Sequence, residues 1–193
     1  MQRERHGSTT NLSNATHLAT GILVSGGRLL MVGSRYPNHP QPLWNLPGGR
    51  QLPGELLEET VVREVFEETG LRVDAGEVAY VSESYDGEKH FLNVTFRVIL
   101  RQAQDDTSVP APFDAACHER ALASRRAQND TIDATADDHV VGVEWVPLGE
   151  VAERIVVAVV RGPLVEYLGG SLVKRYAGFH QANVTIKWPP DSR

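Results

Sequence analysis

Three glutamates near the middle of the chain have the type and spacing needed to bind a metal ion. On a helix, a rotation of about 100° per residue would place Glu64, Glu67 and Glu68 within an arc of about 100°. Like charges repel at that separation, so the cluster costs stability unless a cation lies among them or the face is simply solvated. Clustered carboxylate oxygens suit Mg²⁺ or Mn²⁺, and such an ion binds substrate phosphates and lowers the pKa of bound water.

The segment that carries these glutamates has the apolar spacing of an amphipathic helix. Leu57, Val61 and Val65 recur every four residues. The pattern predicts a helix over residues 54–69, and Gly70 stands where a left-handed cap would end it. The three glutamates would then project from one helix.

Strand-like runs surround this helix. Residues 17–24 and 28–35 flank a Ser-Gly-Gly turn signal, and residues 73–85 and 89–101 flank Asp-Gly, so two hairpins are predicted. The other predicted elements are a short extended stretch over 43–46, a break at 47–49, a strand over 139–146, helices over 148–160 and 163–168, and an edge strand over 182–188. Mixed strands with two main helical layers predict an α/β sandwich.

The sequence predicts one domain with additional segments. Residues 1–16 are polar and are expected to form a flexible N-terminal arm, residues 17–168 form the domain, and residues 169–193 form a tail. Residues 102–138 are polar and are predicted to be an insertion between two strands. Within the insertion, residues 114–128 are a helix candidate.

Composition narrows the class of protein. The formal net charge of −6 argues against a surface that coats nucleic acid. No apolar run approaches the ~18 residues of a membrane helix, and no N-terminal stretch resembles a signal peptide. The single cysteine, Cys117, can form no intrachain disulfide, so a cytoplasmic location is expected.

The segment from Gly49 to Leu71 resembles the signature of the Nudix hydrolases, G-x5-E-x7-R-E-U-x-E-E-x-G-U, in which U is aliphatic. The matching residues are Gly49, Glu55, Arg63, Glu64, Val65, Glu67, Glu68, Gly70 and Leu71. The run Trp-Asn-Leu-Pro-Gly-Gly at 44–49 resembles the usual entry into this signature. The run Glu-Trp-Val-Pro-Leu at 144–148 resembles the last strand and the start of the second helix in that family. The resemblance covers roughly residues 18–168.

The resemblance implies an α/β/α sandwich with a mixed central sheet that cleaves a nucleoside diphosphate linked to another moiety. It implies that Glu64, Glu67 and Glu68 bind Mg²⁺ or Mn²⁺, with the Gly48 carbonyl nearby. Glu64 and Glu67 are also expected to take part in catalysis. Arg63 is expected to orient Glu64 through a salt bridge, although a plain surface ion pair is the alternative.

Other candidate residues lie around the signature. Glu55 is expected to stabilise the loop rather than touch metal. Glu144 lies where some relatives place an additional metal ligand and is a candidate general base, with Asp137 and Asp138 as rivals and an exposed strand residue as the plain alternative. Arg35 ends the second strand, where relatives often carry a phosphate-binding arginine. The candidate substrate-binding residues are Arg35, Trp44 and Tyr85.

Family markers leave the substrate open. The proline typical of ADP-ribose hydrolases is absent, because no proline occurs between Pro53 and Pro110. A nucleoside triphosphate or a nucleotide sugar is favoured by elimination. One rival is a Nudix-like regulator that senses a ligand without hydrolysis, but the chain after residue 168 is short for a winged helix. The other is an isomerase on the same fold, which would need its cysteine elsewhere than Cys117. The expected partner is a small nucleotide rather than nucleic acid or a membrane, and a homodimer is left open.

Overall fold

The computed structural model describes residues 15–101 and 139–182. The predictions for the helix over 114–128, for Asp137 and Asp138, and for nearly all of the strand over 182–188 therefore lie outside the described residues. The described elements are β1 (Ala15–Ile22), β2 (Val24–Ser25), β3 (Arg28–Ser34), β4 (Leu43–Asn45), β5 (Gly48–Arg50), α1 (Leu57–Thr69), β6 (Val73–Asp86), β7 (Lys89–Leu100), β8 (Val140–Pro147), a 3₁₀ turn (Leu148–Glu150), α2 (Val151–Arg154), α3 (Ala158–Leu168) and β9 (Tyr176–Phe179).

The strands form two sheets. The larger has the order β5-β1-β7-β6-β9 and is mixed, because β1 runs parallel to β7 and β6 parallel to β9 while the other pairs are antiparallel. The smaller is antiparallel, with β3 paired to β2, β4 and β8. The second predicted hairpin is confirmed, but the first is wrong except at its turn. Only Val24–Ser25 pair with β3, because residues 15–22 form β1 and pair with β5 and β7 of the larger sheet. The second turns at Asp86-Gly87, where Gly87 has a φ of 61°.

Helices cover both faces of the strands. The α1-side core contains Ala19, Leu23, Leu30, Val61, Val65, Val73, Phe96 and Val98. The α3-side core contains Ile22, Leu29, Met31, Tyr36, Leu43, Leu46, Ala79, Tyr80, Val146, Val151, Ile155, Val157 and Leu164. Neighbouring residues of β3 join different cores, as expected when side chains alternate across a strand. The predicted α/β/α sandwich with a mixed sheet is confirmed.

Helix α1 starts later than the spacing predicts, at Leu57 rather than at residue 54. Gly54 has a φ of 84°, which is outside the helical region, so the chain is still turning there. The Leu56 N–H donates to Glu59 Oε2 at 2.8 Å and closes the first turn. The C-terminal prediction is confirmed, because Gly70 is left-handed with a φ of 72° and donates to the Phe66 carbonyl.

Three predicted elements were wrong. The expected break at 47–49 overlaps β5, in which Gly48–Arg50 pair with β1. The single helix over 148–160 is instead a 3₁₀ turn and the short α2, and the chain then extends at Ile155 and Val157. Burial of those two side chains, 0% and 5% exposed, outweighs helix continuity. The next helix, α3, begins five residues before the expected Pro163 and contains it.

Strand β9 was not predicted at all. Its four residues pair with β6 rather than with a sequence neighbour, so no local pattern marks it. Within residues 15–101 and 139–182, no helix is both long enough and apolar enough to cross a membrane.

Candidate active site

Helix α1 carries the three glutamates to the edge strand β5. Glu64 and Glu68 are buried, at 6% and 3% exposure, whereas the Glu67 side chain is 32% exposed. The Gly48 N–H donates to Glu68 Oε2 at 2.8 Å, which joins the last turns of α1 to β5. The sequence expectation concerned the Gly48 carbonyl, but the contact seen in the structure is made by the amide.

The glycine pair is required because the carboxylates lie against the backbone. A Cβ on Gly49 would stand 2.4–2.6 Å from the three atoms of the Glu64 carboxylate. Gly48 has a φ of 148°, and a Cβ there would lie 2.2 Å from the Ala19 carbonyl oxygen. Only glycine fits either position without displacing a neighbour.

Arg63 lies among the carboxylates and uses all five of its N–H donors. Nε and Nη2 donate to the two oxygens of Glu55, at 2.8 and 3.0 Å. Nη1 donates to Glu64 and to Glu67, both at 2.9 Å, and Nη2 also donates to the Arg50 carbonyl at 3.0 Å. The ion pair with Glu64 expected from the sequence is therefore present, as part of a larger network.

Glu55 is saturated with donors. Besides Arg63, the Leu52 N–H donates to it at 3.0 Å and the Thr60 hydroxyl at 2.8 Å. The hydrogen bond from Arg63 is the main cause that lowers the pKa of Glu55 to about 2. Burial opposes the charge of Arg63, but the hydrogen bond with Glu55 and the charges of Glu64 and Glu67 raise its pKa above the ordinary value. Both groups are therefore charged at neutral pH, where Glu55 is unsuited to be a base.

The donor set fits a divalent ion in type and charge. Three carboxylates, those of Glu55, Glu64 and Glu67, lie around one guanidinium, and Glu68 adds a fourth on the same helix, so the cluster is acidic. Carboxylate oxygens are hard ligands, and the space left at Gly49 accommodates one of these carboxylates. In the described part of the chain no three acidic, histidine or cysteine side chains converge on one point. Side chains of the α1 set would therefore have to rotate to share an ion.

Glu144 lies apart from this cluster. It pairs with Met31 in the strand register and shares a sheet face with it and with Val146, two residues of the α3-side core. Its carboxylate is exposed and forms an ion pair with Arg154, at the end of α2. The structure does not bring Glu144 to the α1 glutamates, and its catalytic role stays a prediction.

The three predicted substrate-binding residues lie in different places. Arg35 is exposed at the end of β3, where its N–H donates to the His139 carbonyl. Trp44 is half-buried, and the Arg154 guanidinium lies 4.9 Å from its ring centroid. Tyr85 is stacked on His90, with ring centroids 4.6 Å apart, on a strand separated from β5 by β1 and β7. The three residues therefore lie on or after three different strands of the two sheets.

A polar patch that the sequence patterns did not predict lies beside the glycine pair. Thr20 is the register partner of Gly48, and its hydroxyl lies 2.9 Å from that of Thr95. Asn93 Nδ2 donates to Thr20 and to Thr95, at 3.2 and 3.3 Å. Alternating polar residues within the apolar strand β7 were a detectable signal, but their meeting with Thr20 depends on a pairing between distant segments.

A groove of about 770 Å³ lies along the outer side of α1. It exposes Glu55 and Arg63 together with Asp74, Arg101 and Leu52. Neither Gly48 nor any of the three predicted ligands lines it. The groove therefore gives access to Glu55 and Arg63 of the ion-pair network, and it does not give access to the carboxylates that face β5.

A family model described as the NUDIX domain matches residues 15–168. Two solved structures have the same fold. A NUDIX hydrolase from Nitrosomonas europaea has a TM-score of 0.57 at 18% identity, with 84% of this chain and 93% of that chain covered. A MutT protein from Methanosarcina mazei Go1 has a TM-score of 0.56 at 19% identity, with 81% and 94% covered.

Curated relatives are similar over shorter stretches. A Bacillus subtilis (strain 168) protein with the provisional name 8-oxo-dGTP diphosphatase is 47% identical over 53 residues, or 26% of this chain and 36% of the relative. Nucleoside diphosphate-linked moiety X motif 6 of Mus musculus is 47% identical over 49 residues, which are 25% of this chain and 15% of the relative. Diphosphoinositol polyphosphate phosphohydrolase 3-alpha of Mus musculus is 34% identical over 84 residues, which are 42% of this chain and 49% of the relative. The chain spans less than half the length of each of these relatives.

Proposed function

Because the chain belongs to the Nudix hydrolase family, we propose that it hydrolyses the diphosphate linkage of a nucleoside diphosphate joined to another moiety. The observation that carries the proposal is the set of three glutamates at β5: Arg63 donates to Glu64 and Glu67, and the Gly48 amide donates to Glu68. An acidic cluster this crowded and this buried is costly, so a structural role alone explains it poorly.

The proposed mechanism assigns a role to each side chain. Glu64, Glu67 and Glu68 would hold Mg²⁺ or Mn²⁺. Such an ion neutralises charge on phosphate oxygens and lowers the pKa of bound water. Arg63 keeps Glu64 and Glu67 in place through Nη1. Glu67 is the most exposed of the three carboxylates, at 32% side-chain exposure, so water reaches it most readily. We therefore assign Glu67 the role of general base, which accepts a proton from the attacking water. Glu144 has no step in this scheme, because Arg154 holds it on the other face.

The substrate class follows from what the relatives' names share. The compounds in these names are 8-oxo-dGTP, a nucleoside diphosphate linked to a moiety X, and a diphosphoinositol polyphosphate. Each of them contains a phosphoanhydride bond. In the patch next to Gly48, the half-buried Thr20 and Asn93 offer a hydroxyl and an amide that can hydrogen-bond to a base or a sugar, and the buried Thr95 supports them from below. A nucleoside triphosphate or a nucleotide sugar is our preferred substrate. A cytoplasmic location and the absence of a nucleic-acid partner stay predictions, and a homodimer stays open.

The test is a panel of nucleoside triphosphates, nucleotide sugars and dinucleoside polyphosphates assayed with Mg²⁺ and with Mn²⁺. We expect metal-dependent release of a nucleoside monophosphate from at least one compound. Glu68→Gln should lower that turnover at least about a hundredfold, because a neutral amide is a poor ligand for a hard ion. Glu58→Gln is the matched control, since Glu58 is an exposed glutamate of the same helix.

Two results would overturn the proposal. The first is binding of a nucleotide without turnover under any metal condition, which would favour the ligand-sensing regulator. The second is an equal loss of turnover in Glu58→Gln and Glu68→Gln, which would show that any change of charge on α1 has the same effect.

A further inference from the structure

Thr60 has a buried hydroxyl that points at the ion-pair network. Its side chain lies on α1 at 0% exposure, and Oγ1 is 2.8 Å from Glu55 Oε2. The position is not one of the fixed residues of the family signature, so nothing in that signature assigns it a role. Its neighbour Glu55, by contrast, is a fixed residue.

The hydroxyl has one proton and two acceptors within reach. Leu56 O, one turn back on the helix, is 3.1 Å away. Glu55 Oε2 is closer and carries charge, and charge-assisted hydrogen bonds are roughly twice as strong as neutral ones. The proton therefore goes to Glu55, and the side chain does more than bond back to its own helix.

This contact is the first link of a chain of hydrogen bonds that ends at predicted metal ligands. Thr60 donates to Glu55 Oε2, which also accepts from Arg63 Nη2 at 3.0 Å. Nη1 of the same guanidinium donates to Glu64 and to Glu67. A guanidinium is rigid and planar, so the orientation of its Glu55 side fixes the direction of Nη1.

We infer that Thr60 is a positioning residue: it sets the Glu55–Arg63 pair, so that Glu64 and Glu67 start from fixed positions when they rotate to receive a divalent ion. The link to ion binding rests on the proposed function. The arrangement of Arg63 does not, because it consists of contacts among the chain's own side chains. Groups that orient ligands in this way change metal affinity by roughly 10–100-fold when they are removed.

The test compares two buried threonines of the same helix. Thr60→Val keeps the shape and removes the hydroxyl. Thr69→Val is the matched control: Thr69 is 1% exposed, and its hydroxyl donates to the Val65 carbonyl at 2.6 Å and accepts from the Leu71 N–H at 3.2 Å, so it has no contact with Glu55 or Arg63 among these bonds. Thr60→Ser restores the hydroxyl, and Thr60→Ala replaces the valine variant if that one does not fold.

Two measurements decide the matter, and neither needs substrate. In metal-free protein, exchange of the Arg63 Nε–H with solvent is followed by ¹H–¹⁵N NMR. Binding of Mn²⁺ is titrated by electron paramagnetic resonance. We expect Thr60→Val to speed Nε–H exchange and to weaken Mn²⁺ binding about tenfold. Thr60→Ser should behave as wild type, and Thr69→Val should lower the melting temperature without changing either quantity.

The inference is overturned if Thr60→Val leaves both quantities unchanged, or if Thr69→Val changes them equally. Faster Nε–H exchange with unchanged Mn²⁺ binding would also overturn it, because the positioning would then not reach the ligands. If the wild-type protein hydrolyses no compound of the panel, the proposed function is wrong. The effect of Thr60→Val on Arg63 Nε–H exchange would still test the positioning role.

Discussion

Two arginines of this molecule bind glutamates in opposite surroundings. Arg63 is 23% exposed and donates to three carboxylates and a carbonyl. Arg154 is 42% exposed and pairs with Glu144, itself 46% exposed, while lying over the Trp44 ring. An exposed pair of this kind contributes about 0–1 kcal/mol, whereas breaking a buried one costs about 3–5 kcal/mol. The comparison separates a fixed arrangement, suited to holding ligands, from an exchangeable surface contact.

The largest effect is expected for Arg63→Ala. It removes the counter-charge from a set of mostly buried carboxylates, so the free energy of unfolding should fall by about 3–5 kcal/mol and turnover should be lost. Arg63→Lys should rescue little of this, because an ammonium group lacks the fork that spans Glu55 and Glu64. Urea denaturation measures the change. If the free energy of unfolding fell by less than about 1 kcal/mol, the Arg63 network would contribute no more than the exposed pair of Arg154, and the proposed difference between the two arginines would be wrong.

A smaller effect is expected when pH removes the charge of Glu55. Its pKa in the folded protein is about 2, below the ordinary value of 4.5, so the stabilisation is complete above about pH 4.5 and is lost as pH falls towards 2. The shift corresponds to up to about 3 kcal/mol. Unfolding free energy measured from pH 6 to pH 2 should fall less steeply in Glu55→Gln than in wild type. Parallel curves would mean that Glu55 is not held by Arg63 in solution.

Gly49→Ala tests the contact between carboxylate and backbone. The added Cβ would stand 2.4 Å from Glu64 Oε1 and push this side chain aside, at a cost of about 1–3 kcal/mol. Metal-dependent turnover should fall with it. Gly149→Ala is the control, because nothing lies within 4 Å of a Cβ there. Equal melting temperatures for the two variants would show that the space at Gly49 is not needed.

The smallest effect is expected for Glu144→Gln. The exposed pair with Arg154 should cost less than about 1 kcal/mol to break, and turnover should change less than tenfold because Glu144 lies away from the α1 glutamates. A chevron or melting curve measures the first quantity and the nucleotide panel the second. A large loss of turnover with unchanged stability would assign Glu144 the catalytic role that its position before Trp145 predicts.

Sequence patterns predicted those parts of the molecule whose signals are local. The period of Leu57, Val61 and Val65 identified α1, and its register placed the glutamates on one face. The Asp86-Gly87 pair located the second hairpin. In each case neighbouring residues alone decide the backbone.

The missed parts depend on contacts between distant segments. Strand β9 exists because it pairs with β6, some 95 residues earlier at Tyr176 and Val81. The division between α2 and α3 depends on which core buries Ile155 and Val157. The pair of Glu144 and Arg154 over Trp44 brings three elements together. No window of sequence contains such information.

Full use of the Arg63 donors also limits how the sequence can drift over evolutionary time. Each of the five N–H groups has its own acceptor, so none of the three glutamates can be replaced without leaving a donor unmatched. Positions 55, 63, 64 and 67 should therefore be inherited as a block. Position 50 escapes this linkage, because it contributes a backbone carbonyl that any amino acid supplies. We therefore expect related sequences to vary at position 50 and to keep the residues at positions 55, 63, 64 and 67.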